Sequence, residues 1–371
     1  MGVPMEIAAI GHNDPRIRDF AEMPYRLYRN DPQWVPVPVD KALSPFIGSN
    51  PFFAYGDFQG FMAIRNGITV GRVGAFVNTR LREGDDPVGT VGYYEVVEDT
   101  AVSERLLAAA FEWLRRKGIR KVWGPMNFSI FHGYRFMTRG FERKPFFGEP
   151  YNKPYYPRFF LRMGFKPLSS WHSWDLTHEQ MGVLYESFRA KMDRGKMGGM
   201  GIHVEPFDPA RFDEEVKRLY RIVTLTFGEN IGYTNISFEE FRQVYGGFRH
   251  MVKKGLTVFL VNEKKETIGF FIVLPDYSDV FRAMGGLSGF RATLSYLLAR
   301  RRIRAVCMHS LGIIKSERKK GIIYHEKLVA ILGRCLRYER VIGALVRAGG
   351  PNFFEPIAGP TREYCLYEKD L

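Results

Sequence analysis

The chain has 371 residues, longer than a single hydrophobic core usually grows, so two domains are expected. Its 45% hydrophobic and 25% charged content excludes wholesale disorder, and no apolar run approaches the roughly 20 residues of a membrane helix. The net charge of +14 draws anionic partners without identifying them. Cys307, Cys335 and Cys365, the only 3 cysteines, lack metal-ligand spacing and read as reduced, buried thiols, so no metal is expected. Met1 to Phe20 has no apolar core behind a basic start, which points to a cytoplasmic protein.

In chain order, Phe58 to Arg65 and Thr69 to Asn78 read as a hairpin around Asn66-Gly67, a strong two-residue turn signal. Gly92 to Val97 is the next strand, followed by a helix from Ser103 to Lys117 and a strand from Lys121 to Gly124. That helix puts Leu106, Leu107, Ala110, Phe111 and Leu114 on one face. Glu98 and Asp99 stand at its start, where they satisfy the helix dipole themselves and would repel a phosphate. Tyr151, Tyr155, Tyr156, Phe159 and Phe160 gather around Pro154 and Pro157, and read as packing for the helix before Gly164-Phe165. A groove for an apolar acyl chain or amine is the alternative. Lys191 to Gly201, rich in glycine and methionine, reads as a linker, with a flap over an apolar ligand as the other possibility.

The second half opens with another hairpin, Thr257 to Asn262 and Thr267 to Leu274, joined by the polar turn Glu263 to Glu266. Thr267-Ile268-Gly269 here answers Thr69-Val70-Gly71 in the first half, a faint internal repeat. Arg300, Arg301, Arg302 and Arg304 form the densest basic run, either a solvated face or a docking patch. Ala305 to Ile323 is the most informative stretch: a strand, a short basic loop with a glycine, then a helix from Ile322 to about Tyr338. A helix start leaves backbone amides without partners, Gly321 permits a close backbone approach, and Arg318, Lys319 and Lys320 add charge. A pyrophosphate suits such a place. Val341 to Val346 is the closing strand.

Hairpin, strand, phosphate loop, helix, strand resembles the GNAT superfamily of N-acyltransferases. The superfamily's loop reads Gln or Arg, two residues, Gly, one residue, then Gly or Ala; Arg318 and Gly321 match it and Ile323 departs. Asp31 to Pro36, Asn50 to Phe53, Gly124 to Asn127, Tyr151 to Tyr156, Gly164-Phe165, Pro275-Asp276 and Tyr367 to Lys369 resemble segments of an uncharacterised bacterial family of tandem GNAT proteins. After the last core strand only Asn352 matches that family. The resemblance implies an α/β (α+β) fold of two tandem domains, each a mixed, mostly antiparallel twisted sheet flanked by helices. The division it implies is 1–178 for a degenerate first domain, 179–201 for the linker region, and 202–371 for the domain holding the acyl-CoA site.

Acetyl-CoA or acyl-CoA is then the implied co-substrate, without a metal. The backbone of Arg318, Lys319, Lys320, Gly321, Ile322 and Ile323 would hold its pyrophosphate, while Leu311, Ile313 and Ile314 would pair with its pantetheine arm. For chemistry, His309 on the strand before the loop suits a base, Asn352 a donor to substrate, and Tyr364 or Tyr367 an acid near the leaving thiolate. Each has a plainer reading, as a structural histidine, a turn residue and strand packing. The implied activity is acyl transfer from CoA to the amine of a small molecule. An acidic acyl carrier protein or an aminoacyl-tRNA as donor is one alternative, and a non-catalytic ligand-binding or partner-binding pair is another. No zinc-ligand, helix-turn-helix or ribonucleoprotein signature supports nucleic acid as the main partner.

Overall fold

The computed structural model describes residues 5–47, 50–194 and 201–371, with Lys319 and Lys320 through their backbone only. The middle of the glycine- and methionine-rich stretch, 195–200, lies outside the described residues.

The first half runs β1 Met5–Ile10, α1 Ile17–Leu27, α2 Val39–Leu43, β2 Gly56–Arg65, β3 Ile68–Glu83, β4 Asp86–Val96, α3 Thr100–Arg116, β5 Lys121–Gly124, β6 Phe136–Arg139, α4 Tyr156–Arg162 and β7 Lys166–Leu176. Asn66 and Gly67 both take positive φ, 52° and 73°, as the two-residue turn between β2 and β3 requires. Asp99 caps α3, its carboxylate accepting from the amides of Ala101 (2.9 Å) and Val102 (3.4 Å). The five apolar residues expected on one face of α3 are all buried.

The second half runs α5 His178–Arg194, β8 His203–Pro206, α6 Phe212–Phe227, α7 Phe238–Tyr245, β9 Val258–Val261, β10 Thr267–Pro275, α8 Ser278–Met284, α9 Phe290–Ala299, β11 Ala305–Ile313, α10 Glu326–Cys335, β12 Arg340–Arg347 and β13 Arg362–Asp370. The linker stretch is therefore largely helical up to Arg194. The α8–α9 hairpin, inserted between β10 and β11, has no counterpart in the sequence reading. Among the described residues no helix is long and apolar enough to cross a membrane.

All the strands join one sheet, in the order β1-β2-β3-β4-β5-β13-β7-β12-β11-β10-β9-β8, with β6 also on β13. Most neighbours are antiparallel; β4 with β5 and β11 with β12 are parallel. Helices cover both faces. In the first half α3 and α4 share one core and α1 packs on the other face; in the second, α5 and α10 oppose α6 and α7.

The two halves exchange strands at the middle of the sheet. β13, from the end of the chain, lies between β5 and β7 of the first half, with Tyr367 opposite Gly124 and Glu363 opposite His172. β7 in turn pairs with β12 of the second half, with Trp174 opposite Gly343. A buried ionic cluster holds this seam. Arg362 on β13 is fully buried, with its Nε 2.9 Å from Glu149 and a terminal nitrogen 2.9 Å from Asp175. Its guanidinium also donates to the Lys144 carbonyl (2.8 Å), and Arg340 on β12 reaches Asp175 at 3.0 Å. Burial nevertheless pushes the Glu149 carboxyl up to about 7.

Removing one partner of such a cluster strands buried charge. Arg362→Met should destabilise the protein by about 3–5 kcal/mol, with Arg362→Met/Glu149→Gln recovering part of the loss. Urea denaturation would check this; a single variant as stable as the parent would show that the cluster does not hold the seam.

Candidate active site

Two neighbouring strands part in the middle of the second half. β11 pairs with β10 as far as Ile313, but a register slip at Ile272/Val273 leaves His309 as the extra, bulged residue. On its other side β11 pairs with β12 only from Ala305–Arg340 to Met308–Gly343. β12 then turns to β7 through a second slip, with Leu345 at φ 50°. Beyond Met308 the β11 edge on this side meets no strand among the described residues, which leaves its peptide groups, apart from the Ile313 carbonyl that accepts from Arg318, available to an extended ligand.

The first half has the same parting between β4 and β5, but it is filled. The segment after β5 tucks in: the Met126 amide donates to Val91 O (2.8 Å), and Asn127 Oδ1 accepts from the bulged Tyr93 amide (2.7 Å). A side chain at Gly92 would collide with Met126 O. With Asp99 closing the start of α3, this half keeps neither an open edge nor a free helix mouth.

The phosphate loop departs from its expected form. Gly321 is left-handed (φ 67°), as its role as a turn requires, but Ile322 follows it into the core at 1% exposure. Residues 322–324 make a tight turn, and α10 starts four residues later than expected, at Glu326. The pull of an apolar side chain toward the core overrides continuous helix here. His325 caps α10: its Nδ1 accepts from the Lys327 amide (3.2 Å) while Nε2 lies 3.2 Å from the Ile202 carbonyl. Arg318, exposed, folds back on its own loop, donating through Nε to Ile313 O (2.9 Å) and lying 3.6 Å from the exposed Glu229, which Lys315 also reaches at 2.8 Å. Leu311 and Ile313 stand on the open edge of β11; Ile314 begins the loop. Ile323 packs on the second half's core.

An apolar pocket with about 40 Å³ of free space opens beside the bulge, between the sheet and α6–α7. Its walls are almost wholly apolar, including Phe212, Val223, Phe248, Phe270 and Ile272, and its polar groups include His309 and Ser310 at the parting of the strands. His309 Nδ1 lies 2.8 Å from Ser310 Oγ. Burial, with the nearby charge of Arg135, holds the imidazole down at about 4 rather than near neutrality. The histidine is therefore a weaker base than the near-neutral one expected from its type.

Arg135 comes from the first half, on the segment that fills the first parting. It is nine-tenths buried, left-handed at φ 79°, and stacked between Tyr134 (3.8 Å) and Trp171 (4.2 Å). Its guanidinium makes no hydrogen bond or ion pair among the described residues, and its buried Nε has no partner. Burial pulls its pKa down. A desolvated cation without an anion is costly, and its charge reaches His309 on β11. The same segment walls the second half: Phe131 packs edge-on to Tyr233 and Phe241, and Gly232 leaves room for Met126 and Ile130.

The other expected residues stand elsewhere. Asn352 Oδ1 accepts from the Phe354 amide (2.9 Å), a local turn. Tyr364 donates to Glu149 in the seam. Tyr367 packs on Phe136 and Phe160 in the first half's core, with β7 and β12 between its strand and β11. Neither the cavity nor Arg135 was visible in sequence; Gly124 to Asn127 marked the right segment without pointing to its arginine.

The depressed His309 has a measurable signature. Its imidazole titrates near 6.5 when free and near 4 in the fold, so between these values the unfolded chain binds the extra proton and stability falls as pH drops. The melting temperature of His309→Gln should fall less steeply than that of the parent between about pH 6.5 and 4.5. Parallel slopes would mean the ring is not desolvated.

No family model matches the chain. It is 26% identical to the bacterial ceramide synthase of Caulobacter vibrioides over 275 residues, covering 73% of this chain and 70% of that protein. It is 24% identical to Protein YghO of Escherichia coli over a 373-residue alignment that covers 97% and 94% of the two. Among solved structures, a tandem GNAT protein from the clavulanic acid biosynthesis pathway superposes with a TM-score of 0.56 at 11% identity, over 99% of this chain and 98% of that one. A GCN5-related N-acetyltransferase from Sphaerobacter thermophilus gives 0.51 at 12% identity, over 100% and 97%. The chain shares the fold of the tandem GNAT protein.

Proposed function

We propose that the chain is an N-acyltransferase that moves an acyl group from a thioester to the amine of a long-chain, apolar acceptor. The observation that carries this reading is an apolar cavity ending at His309 and Ser310, beside a strand edge left open by the parting of β11 and β12. Its phenylalanine-rich walls favour an alkyl chain over a polar acceptor, and its free space of about 40 Å³ means those walls part as the chain enters. The relative named bacterial ceramide synthase supports the same class, since a ceramide is an N-acylated long-chain amine.

The open edge at 309–313 fits the amide groups of a pantetheine arm, with Leu311 and Ile313 alongside. The loop fits a CoA diphosphate less well, because His325 closes the mouth of α10 and Arg318 is engaged with Ile313 and Glu229. That specific feature favours a second donor, the pantetheine of an acidic acyl carrier protein, which needs the arm but no diphosphate cradle. The charge of +14 suits such a carrier.

Three groups of the chain do the work in this reading. The cavity disfavours an ammonium, so the acceptor enters as free amine. His309, neutral and held by Ser310, takes the proton that leaves the nitrogen as the C–N bond forms; its weak basicity suffices only because that nitrogen becomes acidic during attack. Arg135 offsets the negative charge that develops on the thioester oxygen and then on the departing sulfur, in a site where water is excluded.

Arg135→Met should lower kcat by about 10²-fold or more with little change in the acceptor KM. Ile272→Trp, which fills the cavity, should raise KM for a long-chain amine and spare a short one. Mass spectrometry of reactions with acyl-CoA and with acyl carrier protein would read both; absence of N-acylated product from any long-chain amine with either donor would end this reading.

A further inference from the structure

The α8–α9 hairpin carries an apolar stripe that faces away from the protein. Phe290 (83% exposed), Leu294, Leu297 and Leu298 (57%) recur at the spacing of one helix face, and Leu287 in the preceding turn adds to it. The opposite face of α9, with Ala292, Tyr296 and Ala299, packs on the protein. An amphipathic helix normally turns such a stripe inward; here the stripe is outside. Exposed arginines flank it, Arg291 within α9 and Arg300, Arg301, Arg302 and Arg304 just after it. Of these, Arg304 pairs with Glu339 at 2.8 Å, and the others make no ion pair among the described residues.

We propose that this hairpin is a membrane-surface anchor, with α9 lying in the interface of an anionic phospholipid bilayer and the arginines on its headgroups. Apolar side chains on one face with clustered arginines beside them are the chemistry that lies at such an interface. Charge argues against a second copy of the chain as the occupant. A second copy would bring two such arginine clusters into one interface, in a protein already at +14. The location adds a consequence under the proposed acyltransferase reading. Tyr296 donates to the His250 carbonyl (3.1 Å), and Phe248, two residues earlier, lines the apolar cavity. The anchor thus holds the cavity wall near the phase in which a long-chain amine dissolves.

The test is co-sedimentation of the full chain with phosphatidylcholine vesicles, with and without phosphatidylglycerol. Binding is expected only with the anionic lipid and is expected to weaken with salt. Leu294→Ser/Leu297→Ser/Leu298→Ser and, separately, Arg300→Glu/Arg301→Glu should each reduce it by about tenfold or more, with unchanged melting temperatures because these side chains are exposed. Phe290→Trp should show a blue-shifted emission when vesicles are added. Two results would overturn the proposal: binding lost on charge reversal but unmoved by the serine variant, which is adsorption by charge alone, or a dimer broken by the serine variant in a chain that ignores vesicles. None of these readouts needs turnover, so failure of the acylation reading and failure of the anchor are separable.

Discussion

The fully buried Arg362 is the point on which the architecture depends. It sits on a strand that belongs by sequence to one half and by position to the other, between carboxylates supplied by the first half. Burial of three charged groups costs desolvation that only close pairing offsets, so the seam tolerates one arrangement of β13, β7 and β12 and few others. That arrangement sets where β12 leaves β11. The open edge, the bulged histidine and the mouth of the cavity are therefore consequences of how the seam is locked, not of the second half alone.

The halves share a plan and differ in what fills it. In the first, Asn127 and Met126 satisfy the backbone groups at the parting of the strands, and Asp99 caps the helix that would receive a phosphate. In the second, the corresponding edge is bare. The segment that closes one site also reaches across to wall the other, through Phe131 and the unpaired Arg135. In the proposed reaction the first half would thus wall the second half's acceptor side.

Much of the local structure was legible because it rests on short-range chemistry. Asn66-Gly67 dictated a turn, the face of α3 announced its packing, and strand, glycine and helix around Gly321 were in the right order. The start of α10 was not, since Ile322 could continue a helix but gains more by entering the core. Strand exchange leaves no trace in periodicity, so the position of Tyr367 in the first half's core was invisible. Arg135 carries no cue because its meaning lies in what it lacks, a partner, and that is a property of three dimensions. The basic run at Arg300 was noticed, but the leucines before it drew no reading, and their outward stripe appears only in the fold.

The placement of β13 has an implication for biosynthesis. The central strand of the first half's sheet is supplied by residues 362–370, some 190 positions after the strand it lies against, β7. During translation β5 and β7 stay unjoined, exposing two strand edges, until residues 362–370 have emerged. A product cut short before residue 362 would be caught with a gap in its sheet, which marks it for chaperones or proteases.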